Sequence, residues 1–118
     1  MTKNYSDSYQ QLQKQIQGLG KESPEVMKGV GQLHKASLKE GALSTSTKEL
    51  IALAIGIAIR CEGCITLHLK AALEAGATRE EIVETIGVAV LMGGGPAVVY
   101  GSQALAALDQ FEEAKSQT

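Results

Sequence analysis

The sequence predicts an all-α fold of about six helices, and three observations carry that prediction. Apolar residues recur at spacings of three and four, and no segment alternates with the period of a strand. The composition is 44% hydrophobic but 3% aromatic with no tryptophan, so the core must be built from Ala, Leu, Ile and Val, a set suited to closely packed helices. Capping and breaking signals punctuate the chain at intervals of helical length. At 118 residues the expectation is a single domain spanning 1–118, long enough to bury one core.

The first helix is expected from Tyr5 to Gln17, a polar segment with Tyr5, Tyr9, Leu12 and Ile16 as a thin apolar stripe. After GLGKE, Ser23-Pro24 supplies an N-cap and a residue well tolerated at the first helical position. Val26, Val30, Leu33 and Ala36 mark the expected buried face of this second helix, which should end near Gly41. Residues 42–44 form a turn, and Ser46 or Thr47 caps a third helix running to about Arg60. This helix is apolar on nearly all sides from Leu50, which predicts burial in the centre or against another subunit. A fourth helix starts around CEGC and stops at Gly76. Thr78-Arg79-Glu80-Glu81 has the pattern of a capping box and opens a fifth helix lasting to about Met92. Gly93 to Gly95 break it, Pro96 starts a sixth, and AKSQT at the end should fray.

Charge and targeting narrow the function. The formal net charge is −2 and the eleven basic residues are scattered, which leaves no footprint for nucleic acid or an anionic membrane. MTKNYSDSYQQ lacks the apolar stretch of a secretory signal, so the expected location is cytoplasmic. The apolar runs 50–59 and 86–100 are shorter than the roughly 20 residues of a membrane-spanning helix, and GGGP interrupts the second. Two cysteines cannot form a disulfide scaffold, and a close pair in a reducing compartment is more often catalytic or metal-binding than structural.

The residues that carry chemistry cluster around that pair. If the fourth helix begins at or after Cys61, Cys64 lies in its first turn, where free N–H groups and the helix dipole favour a thiolate. Cys61, three residues earlier, is spaced to close a disulfide with it. His68 follows Cys64 at i+4 on the same face and can take or deliver a proton. Glu49 would lie roughly 18 Å from Cys61 on one straight helix. A hairpin turning around residues 60–63, with axes about 8–10 Å apart, would instead let Glu49 meet His68 directly or through one water. A carboxylate beside Leu50, Ile51 and Ala52 needs such a partner.

The residues alone leave redox, metal and incidental readings of the CxxC open. Zinc would want four ligands, and His34 or Glu49 would have to complete a set with Cys61, Cys64 and His68. GGGP at 93–96 follows no strand and precedes no Lys-Ser/Thr, so it reads as an interhelix corner, and Glu80-Glu81 as a solvated helix start.

Glu49, eleven residues, Cys61-Glu62-Gly63-Cys64, three residues and His68 together resemble the signature of the alkylhydroperoxidase D-like branch of the carboxymuconolactone decarboxylase family. KELIALAIGIAIRCEGCITLHLKAALEAGATREEIVETIGVAVLMGGGPAV is similar to that family as well, and the likeness covers roughly residues 25 to 110. The resemblance implies an alkylhydroperoxidase D-like helical fold assembled as a homo-oligomer, a trimer or hexamer. It also implies reduction of a hydroperoxide by thiols without metal or flavin, so no cofactor is expected. Cys64 would attack the peroxide, Cys61 would resolve the resulting sulfenic acid as a Cys61–Cys64 disulfide, His68 would shuttle the proton, and Glu49 would orient His68. A thiol or lipoyl reductant would reopen the disulfide. The best-known peroxidase members carry a histidine where this chain has Gly63, and they have an additional N-terminal helical half. The alternatives are the decarboxylation for which the family is named and a non-catalytic redox-sensing oligomer.

Overall fold

In the computed structural model, which describes residues 3–116, the chain folds into six helices: α1 (Tyr5–Glu22), α2 (Pro24–Leu38), α3 (Thr45–Ala58), α4 (Glu62–Glu74), α5 (Arg79–Gly93) and α6 (Gly95–Ser116). The all-α class and the number of helices are those expected from the apolar spacing. No helix among the described residues is long and apolar enough to cross a membrane.

The core forms where α3 crosses α4, α5 and α6. Leu53 and Ile57 from α3, Leu69 from α4, Ile82 from α5 and Leu108 from α6 are fully buried. Alanines fill the space between them, with Ala72, Ala97, Ala104 and Ala107 also buried. Small side chains let helix axes approach closely, which is how a core nearly free of aromatic residues reaches interior density. Tyr9 and Phe111 meet edge to face at 6.5 Å between ring centres and join α1 to α6. Burial, with the charge of Glu74 as a lesser cause, raises the pKa of the Tyr9 phenol above its ordinary value.

Several boundaries differ from expectation. α1 continues through Gly18 and Gly20 to Glu22, because both glycines face open space and cost only helix propensity there. Ser23 closes α1 and opens α2, but its side chain makes no capping hydrogen bond. Ser44, rather than Ser46 or Thr47, caps α3 by accepting from the Thr47 N–H at 3.1 Å. α6 stays helical through Ser116, so the expected fraying does not occur at 114–116; Gln117 and Thr118 lie outside the described residues.

The largest difference is α2, which ends at Leu38 and buries no residue. Val26, Val30, Leu33 and Ala36, expected to face the core, are all exposed. α2 packs mainly along α1 and touches α3, leaving its apolar stripe uncovered within one chain. The radius of gyration, 14.5 Å, exceeds the roughly 13.5 Å expected for a chain of this length and reflects that standing-off. The end of α2 is held in place nonetheless: the Thr45 hydroxyl donates to Leu38 O at 2.8 Å, and Lys48 Nζ donates to Lys39 O at 2.5 Å. α3 also presents Ile51, Ile55 and Ile59 outward, so its near-uniform apolar surface is only half used inside the chain.

Two helix ends share one geometry. α4 closes with Gly76 in the left-handed region (φ 98°), Gly76 N–H donating to Leu73 O and Ala77 N–H to Ala72 O. α3 closes in the same way, Arg60 N–H donating to Ile57 O and Cys61 N–H to Gly56 O, but the left-handed position (φ 63°) is occupied by Arg60. A β-carbon is strained in that conformation. Arg60→Gly should therefore stabilise the protein by about 0.5–1 kcal/mol, whereas Gly76→Ala should destabilise it by about 1 kcal/mol, both read from urea unfolding midpoints. Equal shifts of the same sign would contradict this account of the two turns.

Candidate active site

The Arg60 turn reverses the chain so that α4 returns along α3 in a tight antiparallel hairpin. Close approach requires a residue without a side chain at the crossing, and Gly56 provides it. A β-carbon on Gly56 would sit 3.2 Å from Cys64 Cβ and 3.5 Å from the Ile65 nitrogen. Seven residues earlier on α3, and four later on α4, the same seam brings Glu49 to His68. His68 Nδ1 lies 2.7 Å from Glu49 Oε1, a direct contact with no need of an intervening water. A carboxylate can only accept, so Nδ1 carries the hydrogen and Nε2 is the free ring nitrogen. Glu49 is 4% exposed, and this hydrogen bond is what satisfies its carboxylate in the apolar seam. Among the described residues no buried side-chain polar atom lacks a partner.

Cys61 and Cys64 are joined as a disulfide, with Cα atoms 5.2 Å apart. Cys61 is the N-cap of α4 and its sulfur accepts from the Cys64 N–H at 3.2 Å. One first-turn N–H of α4, that of Cys64, is thus directed at Cys61 Sγ, whereas the sequence pointed to Cys64 as the sulfur favoured by the helix N-terminus. Cys64 occupies the first turn and His68 the next turn of the same helix.

Two other helices wall the site. On the α1 side Leu12 Cδ2 would lie 3.1 Å from a β-carbon on Gly63, so the space a larger residue would take between the cysteines is filled by leucine. Lys3 pairs with Glu62, and Gln110 accepts from the Tyr5 N–H and donates to Lys3 O, fixing the start of α1 against α6. On the other side α2 borders an open groove of about 300 Å³ lined by Val30, Leu33, His34, Ser37, Leu38, Ala52 and His68. The His34 and His68 rings are nearly parallel, 15° apart in plane and 6.0 Å between centres. A larger depression of about 660 Å³ opens between the ends of α4, α5 and α6, lined by Lys70, Arg79, Phe111 and Glu112 among others; it contains neither the cysteines nor His68.

The four residues singled out by their spacing are therefore placed on one seam, as two bonded pairs. His34 entered the sequence reading only as a possible metal ligand; its neighbours Val30 and Leu33 pointed that face toward a core, not a groove. Nothing local in the sequence foretold the approach of Gly56 to Cys64 or of Leu12 to Gly63. Among the described residues, no group of three or more His, Cys, Asp or Glu side chains is arranged to hold a metal ion.

An all-helical chain with a cysteine pair at a helix N-terminus, one turn from a carboxylate–imidazole pair, defines a small class of proteins. The chain belongs to the carboxymuconolactone decarboxylase family, whose pattern matches residues 24–109. It is similar to a carboxymuconolactone decarboxylase family protein from Legionella pneumophila, with 44% identity, a TM-score of 0.87, and coverage of 91% of this chain and 96% of that one. It is also similar to a family member from Thermotoga maritima, at 30% identity and a TM-score of 0.74, covering 78% of this chain and 95% of that one. An uncharacterised protein of Cupriavidus necator is 35% identical over 109 residues, 92% of this chain and 96% of that protein.

The two glycines at the site make opposite predictions. Gly56→Val should overpack the seam against the Cys64 and Ile65 backbone and destabilise the protein by about 1–3 kcal/mol or more. Gly63→Ala meets only the end of a flexible leucine and should change stability by less than about 1 kcal/mol. Thermal unfolding of the oxidised variants checks both; a tolerated Gly56→Val would mean that α3 and α4 are not held in close contact.

Proposed function

We propose that this protein is a thiol-dependent peroxidase that reduces hydroperoxides through a Cys61–Cys64 disulfide cycle. The observation that carries the reading is the direct Glu49–His68 hydrogen bond on the same seam as a cysteine pair already closed as a disulfide. In the reduced form His68 removes the Cys64 proton, and Glu49 holds the imidazole in the tautomer that leaves Nε2 free. The Cys64 thiolate attacks the terminal oxygen of ROOH, the O–O bond breaks, and RO⁻ leaves and is protonated to ROH. Cys64 is then a sulfenic acid; Cys61 attacks its sulfur, water departs, and the disulfide forms. An external dithiol, a small thiol or lipoyl compound, returns the two electrons.

Family membership supports the reading, as does the Thermotoga maritima relative, for which a role in antioxidative response has been raised as a possibility. The groove beside His68 suits the organic part of a hydroperoxide, since its lining contains no Lys, Arg, Asp or Glu. Lactone decarboxylation is less well supported, because it calls for cations to hold substrate carboxylates. Arg60 and Arg79 are the only arginines, and Arg79 is taken by Asp109 and Glu112 of α6, which raise its pKa.

We further propose that the active form is a homo-oligomer, a trimer or hexamer. Among the described residues sixteen large hydrophobic side chains are exposed, including Leu91 (79%) and Met92 (77%) beside Val98 and Val99. Exposed apolar side chains grouped in this way support association between copies of the chain.

The test is anaerobic. Fully reduced protein, freed of reductant, receives one equivalent of cumene hydroperoxide and its free thiols are counted over time. Rapid loss of both thiols in the wild type, with Cys61 still free in Cys64→Ser, is the expected result. A wild type that keeps both thiols for hours would rule the peroxidase reading out.

A further inference from the structure

Reopening the disulfide sets an electrostatic condition that the Glu49–His68 pair does not meet. A dithiol attacks a disulfide as its thiolate, so one negative charge arrives with the attacking sulfur and another develops on the cysteine that leaves. Charge close to the cysteine pair therefore decides which reductants react fast. The carboxylates of this region have partners of their own: Glu62, between the cysteines, pairs with Lys3, and Glu49 is held by His68.

Arg60 differs from them. It is bonded directly to Cys61, is exposed, and among the described residues its side chain makes no hydrogen bond, ion pair or ring contact. It also holds the left-handed position (φ 63°) of a turn whose counterpart at the end of α4 is a glycine, Gly76. The turn itself asks for no side chain there, because both of its hydrogen bonds are backbone ones, Arg60 N–H to Ile57 O and Cys61 N–H to Gly56 O. A position suited to glycine thus carries a permanent cation, and strain retained beside a chemical centre points to a use for the side chain. Consecutive Cα atoms are about 3.8 Å apart, so this charge stays within one side chain's length of Cys61 however the arginine turns. Arg60 does not line the groove beside His68, which leaves its charge to the disulfide.

We propose that Arg60 selects the reductant, favouring a dithiol that carries a carboxylate in addition to its thiolate; the proposal rests on the disulfide cycle above, though not on the oxidant that closes it. The first sulfur of the dithiol, as thiolate, attacks one sulfur of the Cys61–Cys64 bond. That bond breaks, a mixed disulfide forms, and the other cysteine leaves as a thiolate. The second sulfur of the dithiol, its proton lost to solvent, attacks the reductant's own sulfur in the mixed disulfide and releases the remaining cysteine. The dithiol ends as a disulfide and its two electrons are on the protein. Arg60 attracts the anion on approach and undergoes no covalent change.

Two dithiols that differ by one charge separate this role from a structural one. Dihydrolipoate and dihydrolipoamide share the same pair of thiols, and only the first carries a carboxylate. Each is mixed anaerobically, without peroxide, with the oxidised wild type, Arg60→Lys, Arg60→Gln and Arg60→Gly at low ionic strength. The rate of disulfide opening is read by acid quench, alkylation and protein mass. The ratio of the dihydrolipoate rate to the dihydrolipoamide rate is expected to fall about three- to fivefold in Arg60→Gln and Arg60→Gly and to be kept in Arg60→Lys. In the wild type it should fall to the same value at about 1 M salt, where the Debye length is only about 3 Å. Arg60→Gly relieves the strained turn and Arg60→Gln retains it, so an effect of charge is common to both and an effect of backbone strain is not. A ratio unchanged in both variants, or changed in Arg60→Gly alone, would overturn the role of Arg60. The expected charge dependence in a protein that keeps its thiols in cumene hydroperoxide would overturn the peroxidase reading alone, and a disulfide that neither dithiol opens would overturn both.

Discussion

A carboxylate inside a helix seam is the constraint on which the site depends. Glu49 sits one turn into a helix that continues Leu-Ile-Ala-Leu-Ala-Ile, and the fold buries it almost completely. Leaving such a group unpaired costs several kcal/mol, so α3 can take this position only if another element brings a donor to it. His68 is that donor. Once the pair is made, the register of α4 against α3 is set, and with it the position of Cys64 one turn before His68.

That register places heavy demands on the turn and the crossing. The reversal between α3 and α4 is short enough that Arg60 must adopt a left-handed conformation, and the helices approach closely enough that Gly56 must lack a side chain. Backbone strain of this kind tends to gather at functional sites, and here it adjoins the disulfide-bonded cysteine pair. Here its structural effect is visible: Cys61 N–H donates back to Gly56 O, so the first cysteine is held to the end of the preceding helix while its sulfur caps the next. α1 then covers the pair from one side with Leu12 and the Lys3–Glu62 ion pair. α2 is the loosest of the six and leaves the other side open as a groove.

Much of this was legible in the sequence, and the reasons are local. The Thr78–Glu81 capping box formed with both its hydrogen bonds, because every atom it needs lies within four residues. Gly76 ended α4 for the same kind of reason. The Glu49–His68 contact was also accessible, since helix rise and interaxial distance restrict where a hairpin can bring two side chains. α2 misled because an apolar stripe reports that a surface will be covered and not by what: Val26, Val30 and Leu33 have the spacing of a core face yet find no core in their own chain. His34 was opaque for the same reason, since only the tertiary fold brings it beside His68, thirty-four positions away in the chain. α1 ran past Gln17 because exposed glycines weaken a helix without obliging it to stop.

The central claim is that Glu49 and His68 act on Cys64 as one unit. The most direct test is the rate at which iodoacetamide alkylates reduced Cys64, in a Cys61→Ser background, for the parent, Glu49→Gln, His68→Gln and the double variant at one pH near neutrality. If the pair is a unit, each single change slows alkylation by on the order of tenfold or more, and the double variant is no slower than His68→Gln alone. Rates that multiply, or a parent that reacts no faster than the three variants, would show that the buried pair holds the fold together without activating the thiol.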